Sequence, residues 1–115
     1  MAQAIKITED EFARQVIELA QYTGWRVAHF RPARVTIKGR ETWRTPVQAD
    51  GAGFPDLVLA RKGRLIFAEL KADKAQPTSE QTAWYEALEE TGKCEVYEWR
   101  PSQWELIELT LRREV

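Results

Sequence analysis

Residues 54–73 read FPDLVLARKGRLIFAELKAD, in which two apolar runs, DLVLA (56–60) and LIFAEL (65–70), flank the turn-forming Lys62-Gly63-Arg64. Short runs rich in Leu, Ile, Val and Phe on either side of a glycine turn predict a β-hairpin. On its amino side, Gly51, Gly53 and Pro55 make a tight approach into the first strand. Further back, residues 31–53 are rich in Arg, Lys, Thr and Gly without a sustained period, which predicts a long loop or an irregular hairpin. WRVAHF (25–30) reads as a short strand that Pro32 ends. Thr8, with Glu11 three residues on, makes a capping box, and Phe12, Val16, Leu19 and Ala20 follow at helical spacing until Gly24, so a helix is expected over 8–23. On the carboxyl side, Thr78 and Gln81 form a second capping box, and Trp84, Tyr85 and Leu88 carry a helical stripe to Gly92. CEVYEW (94–99) predicts another strand, and Trp104, Ile107 and Leu111, beyond Pro101, predict a closing helix. The order αβββαβα suits an α/β domain with a mixed sheet flanked by helices. A chain of 115 residues has room for one core, so a single domain over 1–115 is expected.

With 43% hydrophobic and 30% charged residues, the composition is that of an ordinary globular protein, and no apolar run approaches the roughly 20 residues of a membrane span. The start, MAQAIKITEDEF, lacks the pattern of a secretory signal, so a cytoplasmic location without membrane attachment is expected. A single cysteine and a single histidine leave no internal disulfide and imply that any metal is held mainly by oxygen. Net charge is −1, which argues against coating nucleic acid through bulk electrostatics. The distribution is uneven, however: residues 26–79 carry eleven basic and five acidic side chains, against two and four before them and four and nine after.

Three charged groups stand at one end of the apolar hairpin: Asp56 at the start of one strand, and Glu69 and Lys71 at the end of the next. Side chains two apart share a face of a strand, and the hairpin returns Asp56 beside them. Charges placed there are costly unless paired or bound to a cation. Two carboxylates held together suit Mg²⁺ or Mn²⁺, which prefer oxygen ligands and keep waters that a phosphate can displace. Such an ion stabilises charge on a phosphodiester, and Lys71 would be placed to position or help deprotonate a water. The plainer reading of the same letters is an edge-strand pair, Glu69 with Lys71, and a turn residue after Pro55.

The stretch GFPDLVLARKGRLIFAELK resembles the core of the PD-(D/E)xK nuclease superfamily, and specifically its VRR-type branch. Around it, EDEFARQVIELAQYTGW resembles the family's first helix, WRVAHF its first strand, and TSEQTAWYEAL its TxxQxxW helix, so that the likeness runs over most of residues 8–105. The resemblance implies a restriction-endonuclease-like αβββαβ core and Mg²⁺- or Mn²⁺-dependent cleavage of DNA phosphodiesters, often at branched or flapped structures such as junctions, by a homodimer. It makes Asp56 and Glu69 metal-binding carboxylates, the Leu70 carbonyl a further ligand, and Lys71 the catalytic lysine. Of the helix-one carboxylates Glu9, Asp10 and Glu11, it points to Glu9 as a further catalytic and metal-binding group, because Glu9 shares a face with Phe12 and Val16 while Glu11 serves the cap. Gln81 matches the family glutamine, although its capping box accounts for it equally well.

DNA contacts are expected from Arg31, Arg34, Lys38, Arg40 and Arg44, which lead into the Gly53–Asp56 approach and would hold phosphates without reading sequence. Trp43, among these cations, could stack on an unpaired base or fold back onto the domain. His29 reads as a packed or surface residue. A nucleic-acid-binding or assembly module that kept the fold without catalysis is the alternative function, and the joint presence of Asp56, Glu69 and Lys71 weighs against it.

Overall fold

The computed structural model describes residues 7–30, 33–44 and 47–114, and for 33–37 and 42–44 it describes the backbone. Helix α1 spans Glu9–Tyr22 behind a Thr8 cap whose hydroxyl accepts the Glu11 N–H at 3.1 Å. Phe12, Ala13, Val16 and Ala20 form its buried stripe, and Gly24, at φ +95°, turns the chain out of the helix. The strands are β1 (Arg26–His29), β2 (Ala33–Ile37), β3 (Arg40–Arg44), β4 (Leu57–Arg61), β5 (Arg64–Leu70) and β6 (Glu95–Trp99). Helix α2 is Ser79–Glu90, and a 3₁₀ turn at Pro101–Gln103 leads into α3, Trp104–Arg112.

The main sheet has the order β1-β4-β5-β6, antiparallel between β1, β4 and β5 and parallel between β5 and β6. A parallel neighbour requires a crossover, and α2 supplies it. Leu57, Leu59, Ile66, Ala68 and Trp99 project from one face into a core completed by Phe12, Val16 and Ala20 of α1 and Ile107 and Leu111 of α3. The alternate positions of the same strands face α2: Phe67 meets Phe54, which in turn meets Trp84 of α2, and Glu69 and Glu98 bond to α2 side chains. The protein is therefore α/β, a mixed four-stranded sheet with helices on both faces. Among the described residues no helix is long and apolar enough to cross a membrane.

Two departures from the sequence reading have physical causes. The segment expected as loop or irregular hairpin contains a regular two-stranded ribbon, β2–β3, separate from the main sheet and closed by Lys38-Gly39 with both φ values positive. The hairpin turn at 62–64 is tighter than the triplet suggested: Lys62 and Gly63 alone make it, with φ +35° and +83°, and Arg64 already pairs with Arg61. Arg64 is consequently buried, bonding Glu95 through Nε at 2.8 Å and Nη2 at 2.7 Å and the Thr110 and Arg113 carbonyls at 2.9 and 2.7 Å. It lies over the Trp25 ring, as does Arg61, and Trp25 and Arg61 both donate to the Leu111 carbonyl at 2.9 Å. Cations thus satisfy the orphan carbonyls at the end of α3 and lock it onto the hairpin turn.

Candidate active site

Asp56 immediately precedes β4, and the pairing of Leu57 with Ala68 places it opposite Glu69 in register. Its carbonyl accepts the Phe30 N–H at 2.7 Å and its Oδ2 accepts the Leu70 N–H at 2.9 Å, so backbone and side chain are both fixed by neighbouring strands. The loop before it is pinned to α2. Gly53 sits at φ +79°, and a Cβ there would come within 2.5 Å of the Glu80 backbone and 2.6 Å of Gln81 N, so only glycine fits against the start of that helix. Phe54 packs edge-on against Phe30, Phe67 and Trp84, and Trp84 Nε1 donates to the Asp50 carbonyl at 2.9 Å.

Glu69 is only 5% exposed. Its Oε2 accepts from Gln81 Nε2 at 2.8 Å and lies 4.0 Å from Lys71 Nζ, while its Oε1, buried as well, has no hydrogen-bond partner. Burial first, and then the Asp56 charge, push the Glu69 carboxyl up to about 8 against the opposing charge of Lys71. Burial also raises Asp56, against the Leu70 N–H and the positive charges of His29 and Lys71. Two carboxyls with too little positive charge between them resist full ionisation, and a cation placed among them would reverse that.

Asp56, Glu69, Lys71 and Gln81 are brought together. Gln81 plays both parts that its sequence position suggested: Oε1 accepts the Thr78 N–H at 2.9 Å to close the capping box, and Nε2 holds Glu69. Leu70, read as a carbonyl ligand, contributes its N–H to Asp56. Glu11 completes the α1 capping box, whereas Glu9 lines a cleft of about 40 Å³ with Leu70, Lys71, Phe12 and Pro101. Among the described residues no three His, Cys, Asp or Glu side chains form a group that could hold a metal, so Glu9 is not gathered with the carboxylate pair. Lys38 and Arg40 are exposed at the ribbon tip; Arg31 lies outside the described residues, as do the side chains of Arg34, Trp43 and Arg44.

Two neighbours of the site were not singled out from the sequence. His29, set aside as packed or superficial, lies close enough to bear on the Asp56 carboxyl. Glu98 stands beside Glu69 in the parallel register, accepts the Tyr85 hydroxyl at 2.9 Å and pairs with Arg100. Its one visible sign is an acidic side chain between Tyr97 and Trp99 in a strand of aromatic residues.

Fold and site define an α/β protein with an under-neutralised carboxylate pair, Glu69 buried and Asp56 half-buried, attended by an amide and an ammonium, at the carboxyl end of β5. No family model, curated protein or solved structure matches the chain.

Proposed function

We propose that the protein is a Mg²⁺- or Mn²⁺-dependent deoxyribonuclease of the VRR-type branch of the PD-(D/E)xK superfamily, hydrolysing phosphodiesters in branched or flapped DNA as a homodimer. The observation that carries the reading is the partnerless Glu69 Oε1, buried beside a second carboxyl. A buried acceptor without a donor is destabilising, and oxygen donors with excess negative charge suit a hard divalent cation. Asp56 and Glu69 would hold it, with the Leu70 carbonyl as the further ligand the family likeness suggests; Glu9, which is not gathered with that pair, is left out of the ligand set. When bound, Mg²⁺ or Mn²⁺ supplies positive charge against a phosphate and makes a nearby water more acidic.

The remaining work belongs to the chain. Gln81 fixes the rotamer of Glu69 through Oε2 and so directs Oε1. Lys71, held 4.0 Å from that carboxylate, presents an ammonium that can hold the hydrolytic water or steady the phosphate. The exposed Lys38 and Arg40, together with Arg31, Arg34 and Arg44, would hold the DNA backbone by charge.

The test is incubation of the purified protein with plasmid, flap and four-way-junction DNA in Mg²⁺, Mn²⁺ or EDTA, beside Lys71→Ala. Metal-dependent cutting by the wild type and its loss in the variant are expected. No cutting of any substrate in either metal would overturn the enzyme reading, and DNA binding without cutting would return the alternative of a non-catalytic module.

A further inference from the structure

Strand β5 ends at Leu70, and Lys71, the next residue, is tied to the end of β6 by a hydrogen bond from its N–H to the Trp99 carbonyl at 2.9 Å. A lysine amine rides on a long flexible stem, so its aim depends on how firmly the backbone beneath it is held. The next two residues are gripped from the segment that follows β6. Arg100 Nη1 donates to the carbonyls of Ala72 at 2.6 Å and Asp73 at 3.0 Å, and Asp73 Oδ1 accepts the Ser102 N–H at 3.0 Å. The far side of the guanidinium is paired with Glu98 Oε1, and the other oxygen of Glu98 accepts the Tyr85 hydroxyl of α2 at 2.9 Å.

Arg100 and Glu98 keep only 17% and 22% of their side-chain surface exposed, so the pair is shielded enough for geometry to matter. Burial first, and then the Glu98 hydrogen bond and charge, raise the Tyr85 hydroxyl far above its ordinary range, so it stays a donor at every working pH. A planar fork is the group that can bond a carboxylate on one edge and two carbonyls on the other; lysine at this position could not.

We propose that Arg100, aimed by Glu98 and Tyr85, is a positioning residue for Lys71. Helix α2 then governs both halves of the centre: Gln81 sets the carboxylate, and Tyr85, through Glu98 and Arg100, sets the strand end that carries the ammonium. The inference rests on the nuclease reading, and its test separates the two.

The experiment compares wild type, Arg100→Ala, Arg100→Lys and Lys71→Ala for cleavage kinetics in Mg²⁺, for the metal concentration that half-saturates the thermal shift, and for rescue by millimolar guanidinium. The expected result is a kcat lowered roughly 10- to 100-fold in both Arg100 variants with KM and the metal midpoint unchanged. Guanidinium should restore part of the Arg100→Ala rate and none of the Lys71→Ala rate. Wild-type kinetics in Arg100→Ala would overturn the proposal, as would a loss that appears equally in KM and the metal midpoint and resists guanidinium, the behaviour of general unfolding. A wild type that does not cut would instead sink the nuclease reading itself.

Discussion

Glu69 shows how a site can be built against the stability of its own fold. Its carboxyl titrates near 8 in the folded chain, against 4.5 for an ordinary glutamate, chiefly because burial disfavours the charge. The folded state therefore holds that proton more tightly than the unfolded state does. The associated stability is complete below the unfolded value of about 4.5 and is lost as pH rises through 8. Glu69→Gln keeps an oxygen for the Gln81 amide and removes the titration. Its melting temperature should match wild type near pH 4.5 and exceed it by several degrees near pH 8.5, as read by thermal scanning at the two pH values, while cleavage is abolished. Mg²⁺ at pH 8 should recover the wild-type deficit, since binding to the folded state alone stabilises it, and EDTA should restore the deficit. A variant no more stable than wild type at pH 8.5 would mean that the carboxylate is already compensated within the protein.

At the scale of elements, the loop from Gly51 to Asp56 and the start of α2 are a single unit, because Gly53 touches the helix backbone itself. Gly53→Ala meets both an unfavourable positive φ and atoms that cannot move aside, and should cost about 1–3 kcal/mol in denaturant unfolding, with cleavage reduced more than stability because Asp56 shifts. A second element-level device is the Arg64–Glu95 pair, which fastens the β4–β5 turn to β6 and α3. The Arg64 hydrogen bond is the largest cause that depresses Glu95, to about 2 from 4.5. A depressed carboxylate contributes stability above its unfolded value and loses it as pH falls through the folded one. Wild type should therefore lose on the order of 1–2 kcal/mol between about pH 4.5 and 2, a partly exposed pair being screened, and Glu95→Gln should lose less over the same window. What the sequence disclosed follows from the same elements. The β4–β5 hairpin and its three charges were legible because strands adjacent in sequence bring Asp56, Glu69 and Lys71 together. The β2–β3 ribbon left a weaker mark: β2 alternates Ala33, Val35 and Ile37 with Arg34 and Thr36 ahead of the Lys38-Gly39 turn, but β3, RETWR, offers no matching apolar run to mark it as the partner strand. His29 and the Glu98–Arg100 pair were not legible, since they reach the site only through β1–β4 and the parallel β5–β6 pairing between distant segments.

For the whole molecule, charge is divided rather than scarce. Residues 26–79 bear eleven basic and five acidic side chains, yet the net charge of the chain is −1, so DNA binding of the proposed kind would have to be local to one region and opposed by the rest. Within that region the exposed Lys38 and Arg40 flank the tip of the β2–β3 ribbon, joined by a two-residue turn that leaves little slack. If this tip rests on phosphates, each contact releases counterions, and the slope of log affinity against log salt changes by roughly 0.9 per phosphate lost. The double variant Lys38→Ala/Arg40→Ala should therefore flatten the slope by up to about 2, measured by fluorescence anisotropy with branched DNA from low to physiological salt. Cleavage by the same variant should suffer in KM and keep its kcat, because neither side chain stands among Asp56, Glu69, Lys71 and Gln81. An unchanged slope with an unchanged KM would remove the ribbon from the DNA path and leave the excess positive charge of the middle segment to be explained by its pairing with the acidic segment that follows, as Arg64 pairs with Glu95.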